Sequence, residues 1–231
     1  MRPIRLQLEL LKVQMSLDEE QVDSTIVLFG GARIPEPAMK DTARTPALAA
    51  LSHFYDEARR FSHLMTERCL ANGGNKGVIC TGGGPGVMEA GNRGAIEAGG
   101  RSVGLNIVLP FEQAPNAYVT PELSFNFHYF ALRKMHFLMR AEALCVFPGG
   151  FGTMDEMFET LTLIQTRRMK RIPVLLFGRA FWDSIINWQA LEASGTISAT
   201  DLELFQYVET AEEAMAALDA WEPPPLGPLV R

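Results

Sequence analysis

The sequence predicts an α/β fold in three layers, an open parallel sheet with helices on both faces. Three observations predict it. Short runs such as Thr25–Phe29 (TIVLF) and Pro173–Phe177 (PVLLF) have no polar alternation, the pattern of strands covered on both sides. Between such runs lie stretches whose apolar residues recur at three and four, the period of an amphipathic helix. Glycine turns stand where strand gives way to helix, which in an open parallel sheet is the edge where ligands bind.

The elements follow in order. Residues 1–24 mix apolar and charged positions and end in Asp18, Glu19, Glu20 and Asp23, so they read as an N-terminal arm, loosely held or a short helix. Residues 25–220 read as one domain. Its first strand, Thr25–Phe29, runs into Gly30-Gly31-Ala32-Arg33-Ile34-Pro35. The GxGxxG dinucleotide fingerprint is absent there. Arg33 stands where it could reach a ligand at the sheet edge, or simply face solvent. Leu48, Leu51, Tyr55, Ala58, Phe61 and Leu64 predict one long helix from Pro46 to Leu70, ended by Asn72-Gly73-Gly74. Gly77–Cys80 is the second strand. Thr81-Gly82-Gly83-Gly84-Pro85-Gly86 then turns into a helix marked by Val87, Met88, Ala90, Ala95 and Ile96.

Ser102–Ile107 is the third strand, and the long loop 110–121 is expected to wall the site. Leu123–Phe127 reads as a short strand. Tyr129–Ala141 reads as a helix carrying Arg133, Lys134 and Arg140, with Lys134 on the solvated face. It feeds the strand Leu144–Phe147. After Pro148-Gly149-Gly150, Gly152 and Thr153 open a helix with Met154, Met157, Phe158, Leu161 and Ile164 on one side. A basic turn, Arg167–Arg171, ends it. The strand Pro173–Phe177, a helix over Trp182–Leu191, a strand over Phe205–Val208 and a short helix Ala211–Leu218 capped by Thr210 complete the domain. Residues 221–231 hold Pro223, Pro224, Pro225 and Pro228 and read as an extended or disordered Pro-rich tail.

Composition removes several classes of function. A net charge of -6 over 231 residues argues against nucleic-acid binding while leaving room for a small phosphate site. Cys69, Cys80 and Cys145 sit in apolar surroundings without metal-ligand spacing, as buried thiols of a reducing compartment do, and no metal is implied. No run reaches the roughly 20 apolar residues of a membrane span, so a cytoplasmic protein is expected. No Walker lysine follows the glycines and no GxSxG elbow is present.

What remains is a pair of strand–glycine–helix devices, expected at adjacent strand ends with one anionic ligand between them. Each presents backbone N–H groups and a helix N-terminus. Asp155, Glu156 and Glu159 lie in the first two turns of the second helix. They are either ordinary first-turn acids or groups that act on the ligand. A carboxylate beside a sugar ring stabilises the oxocarbenium-like state formed as a glycosidic bond breaks, and Glu156 could also serve as base for the attacking water.

The nine residues Pro148-Gly149-Gly150-Phe151-Gly152-Thr153-Met154-Asp155-Glu156 resemble the PGGxGTxxE signature of the LOG ("Lonely guy") family of cytokinin-activating enzymes, also labelled lysine-decarboxylase-like. Thr81–Met88 resembles the family's other glycine motif, and Arg133-Lys134 its arginine–lysine pair. The resemblance runs from Thr25 to Leu218 and is nearer the longer bacterial branch than the compact members. It implies a Rossmann-like fold, a homodimer, no cofactor, and hydrolysis of the N-glycosidic bond of nucleoside 5'-monophosphates (AMP or cytokinin riboside monophosphates) to free base and ribose 5-phosphate. By the same resemblance Arg133 and Glu156 are catalytic. Gly83, Gly84, Gly86, Gly149, Gly150, Gly152 and Thr153 hold phosphate and ribose, and Glu159 is a second carboxylate near the sugar or base. Met135, Phe137 and Met139 are expected to supply apolar surface for the dimer. The alternative is a non-catalytic carrier of a nucleotide or of a phosphorylated cofactor of the molybdenum-cofactor type, which needs the loops but not the Arg133–Glu156 pair.

Overall fold

The computed structural model describes residues 1–108 and 114–223. Seven strands form one parallel sheet: β1 (Thr25–Phe29), β2 (Val78–Thr81), β3 (Ser102–Ile107), β4 (Ser124–Phe127), β5 (Ala141–Val146), β6 (Val174–Phe177) and β7 (Gln206–Val208). Their order is β4-β3-β2-β1-β5-β6-β7. The helices are α1 (Arg2–Glu19), α2 (Pro46–Ala50), α3 (His53–Ala71), α4 (Val87–Glu97), α5 (Phe130–Met139), α6 (Phe151–Gln165), α7 (Arg179–Ile185), α8 (Trp188–Ala193) and α9 (Ala211–Ala220). Successive residues of β1 serve opposite faces. Val27 and Phe29 pack with Phe137 and Met157 below one layer of helices, while Ile26 and Leu28 pack with Phe61 and Ala90 below the other. The result is the expected three-layer, Rossmann-like arrangement.

The chain path fixes where a ligand can go. From β1 it steps outward through β2 and β3 to β4, then returns to β5 on the opposite side of β1. The direction of winding changes at β1 and β5, so their carboxyl ends part and leave a crevice. The two glycine loops are therefore not on adjacent strands: β1 lies between β2 and β5, and its own Gly30-Gly31 turn separates them.

Other elements differ from the sequence expectation for local reasons. The long helix over Pro46–Leu70 is broken at Leu51 and Ser52, which lets Leu48 and Leu51 turn to the crevice while Phe54 and Tyr55 enter the core. The Trp182–Leu191 helix is likewise two pieces, the second restarted by Asn187, whose Oδ1 accepts the Ala190 N–H at 3.0 Å. α5 stops at Met139, and the Arg140 carbonyl that follows it accepts the Thr25 N–H (2.8 Å) at the start of the sheet.

The largest difference is at the N-terminus. The expected loose arm or short helix is an 18-residue helix docked on α5, with Val13 and Leu17 buried. Its Glu9 accepts the backbone N–H groups of His128 and Tyr129 (3.2 and 3.0 Å), and Arg140 binds its Asp18. Phe137, read both as part of the packing face of this helix and as apolar surface for an interface, is fully buried, with its ring edge-on to Phe29 at 4.7 Å. Met135 and Met139 are exposed.

Among the described residues no helix is long and apolar enough to cross a membrane. Cys69, Cys80 and Cys145 are buried free thiols. Residues 109–113, which include 110–113 of the expected site wall, and residues 224–231 of the Pro-rich tail lie outside the described residues.

Candidate functional site

A cavity of about 670 Å³ occupies the crevice, within the size range of small-molecule sites. Gly30 to Arg33 follow β1 into its wall, Gly82 follows β2, and Pro148 to Thr153 follow β5. Arg133 from α5 and Asp155 and Glu156 from α6 complete the polar part. Met88, Phe130, Phe151 and Phe181 make much of the remainder apolar. Arg33 is exposed at its edge.

The Pro148 loop is tied to the β1 turn. Phe147 N–H donates to Phe29 O (2.8 Å) and Gly31 N–H to Pro148 O (2.9 Å). A Cβ at Gly149 would lie 2.1 Å from Thr153 Oγ1, so only glycine lets that hydroxyl fold back beneath the loop. Around Gly150 and Gly152 a Cβ would meet nothing. α6 starts without a side-chain cap, so its first-turn N–H groups are left without side-chain acceptors where Phe151, Gly152 and Thr153 line the cavity.

The Thr81 loop is organised differently. Thr81 Oγ1 accepts the Gly83 N–H (2.9 Å) and donates to Asn92 Oδ1 (2.8 Å). Asn92 Nδ2 donates to Ser102 Oγ (3.0 Å). Asn116 donates its N–H to Gly83 O (2.8 Å) and its Nδ2 to Gly84 O and Asn92 Oδ1 (both 2.9 Å). Gly83 has φ +70°, and a Cβ there would sit 2.3 Å from Asn106 Oδ1. Gly86, also at positive φ, abuts Gly31 O. Gly82 alone of this loop lines the cavity. Gly83, Gly84 and Gly86 stand behind it.

Arg133 and Glu156 are the charged floor. Arg133 Nε donates to Leu105 O (2.7 Å), and its guanidinium lies against Gly82 and over the Phe137 ring at 5.0 Å. Burial pulls its pKa below the ordinary arginine value, opposed by the Glu156 charge. Glu156 is 5% exposed, and its Oε2 has no hydrogen-bond partner in the chain. Burial raises its pKa to about 7 against the pull of Lys134 and Arg133, with Glu159 and Asp155 pushing the same way as burial. Lys134 is not on a solvated face. Its Nζ lies 2.9 Å from Asp155 Oδ2 and 3.2 Å from Glu159 Oε2. Burial alone would lower the Lys134 pKa, but these carboxylates raise it overall. Glu159 is thus held by Lys134 and does not line the cavity.

The structure therefore brings together Arg33, Arg133, Gly149, Gly150, Gly152, Thr153 and Glu156, and leaves Gly83, Gly84, Gly86 and Glu159 outside the wall. Sequence reasoning missed Asn92 and Asn116. Asn92 carried a signal, since it follows Met88 by four and precedes Ala95 by three, a polar residue at the inward spacing of α4. Asn116 carried none. Among the described residues, no cluster of three or more His, Cys, Asp or Glu side chains forms a metal site.

A family model described as "possible lysine decarboxylase" matches residues 88–218, more than half of the chain. The chain belongs to that family. It is similar to a probable cytokinin riboside 5'-monophosphate phosphoribohydrolase of Oryza sativa subsp. japonica, 27% identical over 64% of this chain and 60% of that protein. A cytokinin riboside 5'-monophosphate phosphoribohydrolase of Arabidopsis thaliana is 26% identical over 74% of this chain and 77% of its own length. The chain thus spans less than two thirds of the rice relative. Among solved structures, the X-ray structure of TM1055 aligns over 86% of this chain and 99% of its own, at 21% identity and a TM-score of 0.56. The molybdenum cofactor binding protein from Rippkaea orientalis aligns over 86% and 96%, at 18% identity and a TM-score of 0.54. The chain thus shares sequence with proteins of catalytic name and its fold with a cofactor-binding protein.

Proposed function

We propose that this chain binds a phosphorylated ribose compound in the crevice and hydrolyses the N-glycosidic bond of nucleoside 5'-monophosphates, AMP or cytokinin riboside monophosphates, to free base and ribose 5-phosphate. The observation that carries the hydrolytic step is Glu156, buried in the cavity wall with an unpartnered carboxylate oxygen and the Arg133 guanidinium as a charge partner. A group that only binds phosphate has no use for a desolvated acid. An acid whose pKa lies near 7 can stabilise the cationic sugar at C1 and take a proton from the attacking water.

The other roles follow from position. The N-terminus of α6 and the Thr153 hydroxyl receive the phosphate, with Arg33 beside them at the rim. The base lies against the apolar wall of Met88, Phe130 and Phe181. Arg133, fixed by Leu105 O, keeps Glu156 partly ionised and faces the departing base. No cofactor enters this scheme. The buried, unpaired thiols suit a cytoplasmic setting.

The second reading is a non-catalytic carrier. Two observations favour it: the fold shared with the Rippkaea orientalis cofactor-binding protein, and a cavity large and apolar enough for a ligand bulkier than a mononucleotide. The two readings part on products. Wild-type protein incubated with AMP, GMP, CMP, IMP and isopentenyladenosine monophosphate should release free base, with the activity lost in Glu156→Gln and Arg133→Ala. Tight binding of one compound with no base released from any would establish the carrier instead.

A further inference from the structure

Two adjacent bases on α5 meet a cluster of acids on α6. Arg133 and Lys134 are neighbours on α5. On α6, Asp155 and Glu156 are neighbours, and Glu159 stands one turn beyond Asp155 on the same side of the helix. Arg133 and Glu156 line the cavity, and Lys134 does not. Lys134 reaches the other two acids instead. Its Nζ donates to Asp155 Oδ2 at 2.9 Å and lies 3.2 Å from Glu159 Oε2. The lysine side chain is only 17% exposed, so this amine is built into the seam between the helices.

A tie between two helices is the simplest use of such a contact, and an exposed ion pair contributes little. The surroundings of Lys134 ask more of it. Three carboxylates lie within two turns of α6, and one of them, Glu156, is buried. Left unanswered, Asp155 and Glu159 would hold a proton on Glu156 by like-charge repulsion, in the same direction as its burial. Lys134 answers both. Among the described residues it forms no ion pair with Glu156 itself. The Glu156 carboxylate therefore has a positive charge nearby while its Oε2 stays without a hydrogen-bond partner. The other bases around it are Arg133, fixed on Leu105 O, and Arg33 of the β1 turn at the exposed edge of the cavity.

We propose, resting on the hydrolytic reading of Glu156, that Lys134 is a positioning residue for that reaction. By holding Asp155 and Glu159 it leaves Glu156 as the one carboxylate free to meet the sugar and the attacking water. Lys134 acts through Glu156 and not on the substrate. Its loss therefore moves the pH dependence of the reaction and leaves KM nearly unchanged.

The test follows the titration of Glu156 itself. The full chain, labelled with carbon-13 at the glutamate side-chain carboxyls, is titrated by NMR, with Glu156→Gln identifying the resonance. The wild-type midpoint should lie at about 7. In Lys134→Met it should rise by about one pH unit, and in Lys134→Arg it should return to within about 0.3 of the wild type. An unchanged midpoint in folded Lys134→Met overturns the proposal. Should Lys134→Met fail to fold, the same comparison is made between Asp155→Asn/Glu159→Gln and that pair with Lys134→Met added, where the repelling acids are gone. The added substitution should again raise the midpoint, and no rise overturns the proposal. At pH 7, kcat/KM should fall about fivefold in Lys134→Met and recover above about pH 9, with KM within about twofold of wild type. An equal loss at every pH marks a merely structural role and overturns it. If no nucleotide releases base, the hydrolytic reading falls, and the carboxyl titration, which needs no turnover, tells that failure from failure of Lys134 to govern Glu156.

Discussion

The Thr81 loop and the Pro148 loop look alike in sequence, each a strand, a run of glycines and a helix, yet they are built for different ends. In the Thr81 loop the glycines are spent inward. Gly83 and Gly86 take positive φ against neighbouring atoms, Thr81 accepts the Gly83 N–H, Asn116 donates to the carbonyls of Gly83 and Gly84, and Asn92 ties Thr81 to Asn116. In the Pro148 loop Gly150 and Gly152 have open space, and the uncapped start of α6 looks into the cavity. A glycine run thus marks where backbone comes close to something. Whether that something is protein or ligand depends on which polar groups already have partners.

The comparison can be broken by substitution. The largest effect is expected from Glu156→Gln, which should reduce release of free base by about 10²-fold or more while ribose 5-phosphate still binds, as read by chromatography and calorimetry. Next is Gly83→Ala. Its methyl would enter the space of Asn106 Oδ1 at an unfavourable φ, and urea unfolding should show a loss of about 3 kcal/mol. Asn92→Ala removes the centre of the buried network and should cost about 2 kcal/mol by the same method. The smallest effect belongs to Gly152→Ala. Nothing in the chain meets the added methyl, so stability should change by no more than about 1 kcal/mol, and any loss should appear as weaker ribose 5-phosphate binding. If Gly152→Ala unfolded the protein and Gly83→Ala did not, the roles assigned to the two loops would be reversed.

Acidity sharpens the same contrast, because the Thr81 loop network has no ionisable member and the Pro148 loop leads to Glu156. The Glu156 pKa is raised in the folded chain to about 7, above its unfolded value. Its contribution to stability is therefore fully present below the unfolded pKa and lost as pH rises through about 7. Glu156→Gln should match the wild type below about pH 4.5 and exceed it by about 3 kcal/mol well above pH 7, measured by unfolding at a series of pH values. Wild-type kcat/KM should rise through the same range as Glu156 ionises.

Much of this was legible in the sequence because the strands are apolar on both faces and the helices on one. Thr25–Phe29 and Val174–Phe177 stood out for that reason, and the Pro148 loop for its glycines between strand and helix. Glu156 and Arg133 were found through motif resemblance, and the crevice does gather them. What was hidden depended on partners distant in the chain. The bracing of Gly83 and Gly84 comes from Asn116, which has no local pattern. Lys134 looked solvated until α6 placed Asp155 and Glu159 beside it. α1 hid its docked stripe because Ile4, Leu8, Leu11 and Met15 fill the other face and blur the period. The break after α2 rests on where Leu48 and Leu51 pack, which periodicity does not report.

The measurement that bears most directly on the division between the two loops is a titration of the amide resonances with ribose 5-phosphate. Large shifts are predicted at Gly150, Phe151, Gly152 and Thr153, with Gly83, Gly84 and Gly86 nearly still. Shifts centred on Gly83 to Gly86, with the start of α6 unmoved, would contradict the account and place the phosphate on the loop described here as a brace.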